Sequence, residues 1–145
     1  MKGKNTKHKV VLEFEYDFDF TLFAIATTLR EYKLSYQIQK TFFIRWTREA
    51  DIEINFPKKN LTGNFSRYSC KIELMHQELN LLSNKYKGNL FIPELKIADY
   101  LFMVKGECDA EVDEILERLK NIEDVQAVML IDVNDLKSKA NLIFD

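Results

Sequence analysis

The side chains whose type and neighbourhood could support chemistry in this chain of 145 residues are Glu94, Asp99 and Tyr100, close together in one stretch, and Cys108 just beyond it. Glu94 and Asp99 would serve as an acid and base pair if the chain around Ile92–Pro93–Glu94–Leu95 folded back over the strand beyond it, because general acid–base catalysis needs two carboxyls within hydrogen-bond reach of one substrate. Nothing in the sequence fixes their separation. Structural roles account for the same residues: Glu94, just after Pro93, is placed to accept amide hydrogens in a turn, Asp99 to cap or pair, and Tyr100 to pack with its hydroxyl at the rim. A ligand or partner site at Glu94, Asp99 and Tyr100 is the functional alternative, since polar loop residues are where sites concentrate. Cys108 precedes a predicted helix start, where the positive end of the dipole favours the thiolate. The adjacent Asp109 opposes that shift, and the common state of a free cysteine is buried and inert. No catalytic residue is therefore assigned.

Other chemistries lack their residue patterns. His8 and His76 stand far apart, with no cysteine or histidine at ligand spacing, so no metal site is expected. Glu13, Glu15, Asp17 and Asp19 alternate with apolar residues, but side chains two apart on a strand lie about 6.6 to 6.8 Å from each other. A calcium ion holds its oxygens at about 2.3 to 2.6 Å, so those carboxylates read better as a guard against edge-to-edge pairing. The glycines at 3, 63, 88 and 106 are scattered, which disfavours a phosphate loop, and no cofactor is expected. Lys137, Lys139 and Asn141 read as a solvated helix end. A net charge of -2 and a pI near 5.8 argue against general nucleic-acid binding. Cys70 and Cys108, in no CxxC spacing and without a leader, predict reduced thiols in a cytoplasmic protein. The nearly apolar run Phe20 to Ala26 is far shorter than the ~20 residues of a membrane helix, so a soluble protein without membrane contact is expected.

These side chains must be positioned by elements whose pattern is partly legible. Residues 1–9 carry Lys2, Lys4, Lys7 and Lys9 and predict a flexible basic tail; residues 10–145 predict a single domain. From Val10 to Phe20 apolar and acidic residues alternate as in a half-buried strand, and Thr21 to Thr27 predicts a second strand after a kink near Asp19. Thr28 and Glu31 have capping-box spacing. The helix they open has Leu29, Tyr32, Tyr36 and Phe43 on one side and Leu34, Ile38 and Phe42 on another, so one side is free for a partner unless both are buried. Phe42, Ile44 and Trp46, then Ile52, Ile54 and Phe56, predict two strands about a polar turn, with a loop over 57–64. Tyr68 to Leu74 and Leu79 to Ser83 predict a hairpin turning at Met75, His76 and Gln77, and Tyr86 to Asn89 a loop.

The stretch Leu90 to Gly106 organises the rest. Pro93 fixes its own φ and pushes Ile92 to an extended conformation, which predicts a corner. Beyond it, Tyr100, Phe102 and Val104 alternate with Leu101 and Met103, as in a central strand covered on both sides. Asp109 is placed to cap a helix with apolar Val112, Ile115, Leu116, Leu119 and Ile122, and Val125 to Val133 predicts the strand completing a right-handed βαβ unit. The fold class expected is an α+β two-layer sandwich, a mostly antiparallel sheet with two main helices, as a ferredoxin-like variant with extra strands.

Ile92, Pro93, Glu94, Leu95, Lys96, Ile97, Ala98, Asp99 and Tyr100 resemble the motif of the IPExxxVDY family, with Ala98 where the family has valine. Arg30 to Phe42 (REYKLSYQIQKTF), Leu82 to Lys85 (LSNK) and Leu136 to Phe144 (LKSKANLIF) are similar too, so the resemblance spans nearly the whole chain. It implies a small bacterial cytoplasmic protein of unassigned activity. Three functions stay open: a noncatalytic binding or regulatory domain that recognises a protein, a small ligand or a second copy through the corner or through Leu34 and Ile38; an RNA-binding domain using an open sheet face; and a small enzyme using Glu94 and Asp99 or Cys108.

Overall fold

The computed structural model describes residues 19–144; the predicted tail and the alternating stretch up to Phe18 lie outside the described residues. Branched and aromatic residues form β1 (Phe20–Thr27), and helix α1 (Glu31–Phe42) comes next. A two-residue β2 (Thr47–Arg48) precedes a hairpin of β3 (Ile52–Phe56) and β4 (Leu61–Phe65), then a second hairpin of β5 (Arg67–Ile72) and β6 (Gln77–Ser83). A miniature hairpin, β7 (Lys85–Tyr86) and β8 (Asn89–Leu90), leads into the corner at Pro93 and on to β9 (Tyr100–Lys105). Helix α2 (Val112–Lys120) and β10 (Val125–Ile131) come after it, and short 3-10 turns, Val133–Asp135 and Lys139–Leu142, close the described chain.

Six strands form one antiparallel sheet in the order β10-β1-β9-β6-β5-β2, which is the mostly antiparallel α+β sandwich the patterning predicts. The expected βαβ unit is modified. β9 and β10 are not neighbours, because β1 lies between them and pairs antiparallel with both, Phe23 facing Phe102 on one side and Leu130 on the other. The stretch after the corner is central, as its double-sided apolar pattern requires. Residues 101–104 are each at most 1% exposed, and a side chain so buried contributes roughly 1.5 to 3 kcal/mol.

Each face of β9 belongs to a different core. Phe102 and Val104 join Phe23, Ile25, Leu79 and Leu81 beneath Leu34 and Ile38 of α1 and Leu119 of α2. Leu101 and Met103 join Leu22, Ala24 and Leu82 beneath Phe65 of the first hairpin, Phe91 and Ile92 of the corner, and Val133, Leu136 and Leu142 of the C-terminal turns. Irregular chain and a hairpin thus complete the second covering.

Several local expectations give way to tertiary contacts. The capping box does not form: Arg30 occupies the cap without a side-chain bond, and Thr27, not Thr28, accepts the Leu29 amide on its hydroxyl at 3.0 Å. The strand predicted from Phe42 to Trp46 is absent, because Phe43 ends α1 in the left-handed region at φ 57 and breaks the alternation. Residues 57–64 hold half of a hairpin rather than a loop. Gly63 is required there, since a Cβ would lie 2.8 Å from both the Phe56 and Phe65 rings. Asp109 begins a 3-10 turn instead of capping α2. Gly106, at φ +98, turns the chain out of β9 against the His76 carbonyl, which a Cβ would approach to 2.5 Å.

Candidate functional site

Leu34 and Ile38, expected to offer a partner surface, are both 0% exposed and belong to the core under α1. The reason is geometric: once the sheet claims one stripe of α1, the other turns to solvent. Tyr32, Tyr36 and Phe43 are the exposed side, Phe43 at 89%.

The corner residues are held by structural partners. Glu94 accepts the Ser138 amide and hydroxyl, each at 3.0 Å, and so fastens the corner to the C-terminal turns. Asp99 accepts the Thr27 amide at 2.9 Å and pairs with Lys85 at 2.7 Å. Tyr100 donates to the Leu29 carbonyl at 3.1 Å, and burial pushes its phenol up to about 12, so it stays protonated at neutral pH. The organising residue was missed from sequence. Asn84, fully buried, donates to the Leu95 and Ala98 carbonyls and accepts the Ile92 amide at 2.8 Å. An asparagine in a polar SNK triplet reads as a turn residue, and only the folded chain brings the three backbone groups to it.

Cys108 sits at the other end of β9 from Asp99, a separation of roughly 20 Å at about 3.3 Å per residue. Its thiol is buried, lies 3.2 Å from the Thr21 hydroxyl, and is pushed up in pKa chiefly by burial. The structure therefore does not bring the three proposed enzyme groups together. The second face of the sheet, where exposed aromatics would stack RNA bases, is covered by Phe65, Phe91 and the C-terminal turns. Among the described residues no three His, Cys, Asp or Glu side chains are grouped to hold a metal ion, and no helix is long and apolar enough to cross a membrane.

An apolar groove lies where the C-terminal end of α1, the β5–β6 hairpin and the first turns of α2 meet. Its cavity is about 190 Å³, and Phe42, Ile44, Ile72, Leu79, Phe102 and Ile115 give it apolar walls. The Phe42 and Phe102 rings stack at 5.7 Å. Helix α1 ends at Phe42 because Phe43 is left-handed, and the hairpin turns through left-handed His76, so two backbone reversals shape the opening. Those reversals also leave Phe43 exposed and carry Leu74, at 96%, and Met75, at 51%, on the turn beside the groove. Left-handed conformations in bulky residues cost on the order of 1 kcal/mol or more and often mark functional surfaces.

The rim is polar and partly neutralised. Arg118 pairs with Glu114 at 3.0 Å, donates to the Thr41 carbonyl at 3.3 Å and covers the Phe42 ring. Gln77 donates to Glu111 at 3.2 Å and to the Glu107 carbonyl at 2.8 Å. The arrangement places charged and polar groups around an apolar cavity. No protein-family model matches the chain, and no curated protein sequence matches it.

Proposed function

We propose that the chain is a noncatalytic binding domain that recognises another protein by taking one apolar side chain into the groove between α1, the β5–β6 hairpin and α2. The observation that carries this reading is the groove itself, an apolar cavity with half-exposed Met75 in its wall. Size decides what it accepts. A dry cavity of about 150 Å³ holds a benzene ring, whereas sites for drug-sized ligands and cofactors run to about 300 Å³ and beyond. At about 190 Å³ the groove matches a phenylalanine or leucine side chain in size.

Membership of the IPExxxVDY family and a cytoplasmic location belong to the same reading. Three segments that carry the resemblance meet at one place: Asn84 of LSNK bonds the corner, and Ser138 and Asn141 of the C-terminal segment bond Glu94 and the Phe91 carbonyl. Their shared role is to hold β9 in the sheet, which leaves the groove at the opposite end free for recognition.

Titration with benzyl alcohol, followed by amide and methyl NMR, tests the binding role. The expected result is a saturable shift confined to Ile44, Ile72, Met75 and Ile115, abolished in Ile115→Trp, which fills the cavity. Shifts spread evenly over the surface, or persisting unchanged in that variant, would refute it.

A further inference from the structure

We infer, on the basis of the binding role above, that the groove's partner is a protein segment whose apolar anchor is flanked by lysine or arginine. Charge on the groove's α2 border carries the inference. From Glu107 to Glu114 the chain carries Glu107, Asp109, Glu111, Asp113 and Glu114 with no basic residue among them, and Glu111 and Glu114 line the groove directly. The cation in the lining, Arg118, is engaged by Glu114, the Thr41 carbonyl and the Phe42 ring. Lys71 neighbours the lining residue Ile72 but alternates with it along β5, so its side chain leaves from the other face of the strand. Arg45, beside Ile44, is exposed, and Lys40 lies over the Tyr36 ring, 5.1 Å from its centroid. Of the ionisable side chains lining the slot, Glu114 and Arg118 offset each other, and Glu111 leaves the lining with a net charge of -1 beside the acidic border. An anchor with basic neighbours gains from Glu111 and from the acidic border around it; one with acidic neighbours is repelled.

The size of the preference comes from Coulomb's law. Unit charges near contact attract or repel by enough to change affinity several-fold even in bulk water, so exchanging flanking lysines for glutamates shifts affinity by roughly tenfold at low salt. Salt near 1 M, with a screening length of about 3 Å, removes most of it.

Three capped peptides, acetyl-Lys-Phe-Lys-amide, acetyl-Ser-Phe-Ser-amide and acetyl-Glu-Phe-Glu-amide, separate this proposal from the binding role it rests on when titrated into the full chain alongside benzyl alcohol. The expected order of affinity is lysine, then serine, then glutamate, compressed at 1 M salt and in the variant Glu111→Gln. Equal affinities, or benzyl alcohol binding without any peptide binding, overturn the basic partner and leave the groove a binding site. Failure of all four probes at Met75 and Ile115 overturns both. Groove resonances that move when Lys2, Lys4, Lys7 and Lys9 are replaced by glutamine, or that move with protein concentration, assign the groove to the chain's own N-terminal segment or to a second copy. Either result overturns the external partner.

Discussion

Asn84 shows how much one side chain decides. Its amide satisfies three backbone groups of the corner, and its own backbone binds the Asp99 carbonyl and the Phe91 amide. Truncation leaves buried donors and acceptors without partners, at about 1 to 3 kcal/mol each. Asn84→Ala is expected to cost about 3 to 5 kcal/mol in urea unfolding, and Asn84→Asp to give no rescue, since it faces two carbonyl oxygens with a carboxylate. A loss below about 1 kcal/mol would show that the corner does not depend on it. Tyr100 makes a pH-dependent contribution. Its folded pKa of about 12 exceeds the ordinary value of 10.0, so the folded state holds the proton more tightly. That stability is fully present below about pH 10 and is lost as pH rises toward about 12. Tyr68, raised by burial and by its bond to Glu31, acts in the same direction. Tyr100→Phe is expected to cost about 1 kcal/mol at neutral pH through the Leu29 carbonyl and to flatten the alkaline decline; an unchanged decline would remove Tyr100 as its source.

At the scale of the element, α1 carries the sharpest contrast. It has two apolar stripes of similar weight, and helical periodicity cannot say which one the sheet will claim. The structure buries Leu34 and Ile38 and exposes Tyr32 and Tyr36. Ile38→Glu is therefore expected to unfold the domain by desolvating a carboxylate in the core, while Tyr36→Glu stays within about 0.5 kcal/mol of the parent. Circular dichroism melts of the two variants check this, and a folded Ile38→Glu would reverse the assignment. The strand predicted from Phe42 to Trp46 failed for a related reason. Its alternation is genuine, but α1 extends to Phe42, and Trp46 is then drawn under the helix by its indole bond to the Ser35 carbonyl at 3.1 Å. β4 was hidden because Leu61 to Phe65 contains Gly63 and Asn64, turn residues by type. The packing of two phenylalanines over Gly63 is visible only in the fold.

For the whole molecule, the two cores share the central sheet, so loss of either exposes the strands between them. Amide hydrogen exchange is expected to be slowest in β1, β6 and β9, which have paired neighbours on both sides, and fastest in β2 and the β3–β4 hairpin outside the main sheet. Fast exchange in β9 would contradict its central position. What the sequence alone determined is what depends on near neighbours: the corner at Pro93, the double-faced strand after it, the apolar stripe of α2, and the α+β class. Each stems from φ restriction or from a period of 2 or 3.6 acting within a few residues. Only the tertiary structure decided which stripe of α1 is buried, that β1 intervenes between β9 and β10, that Asn84 holds the corner, and that a groove opens at its far end. Those outcomes depend on groups distant in sequence competing for the same buried volume and the same hydrogen bonds, a competition no local pattern records.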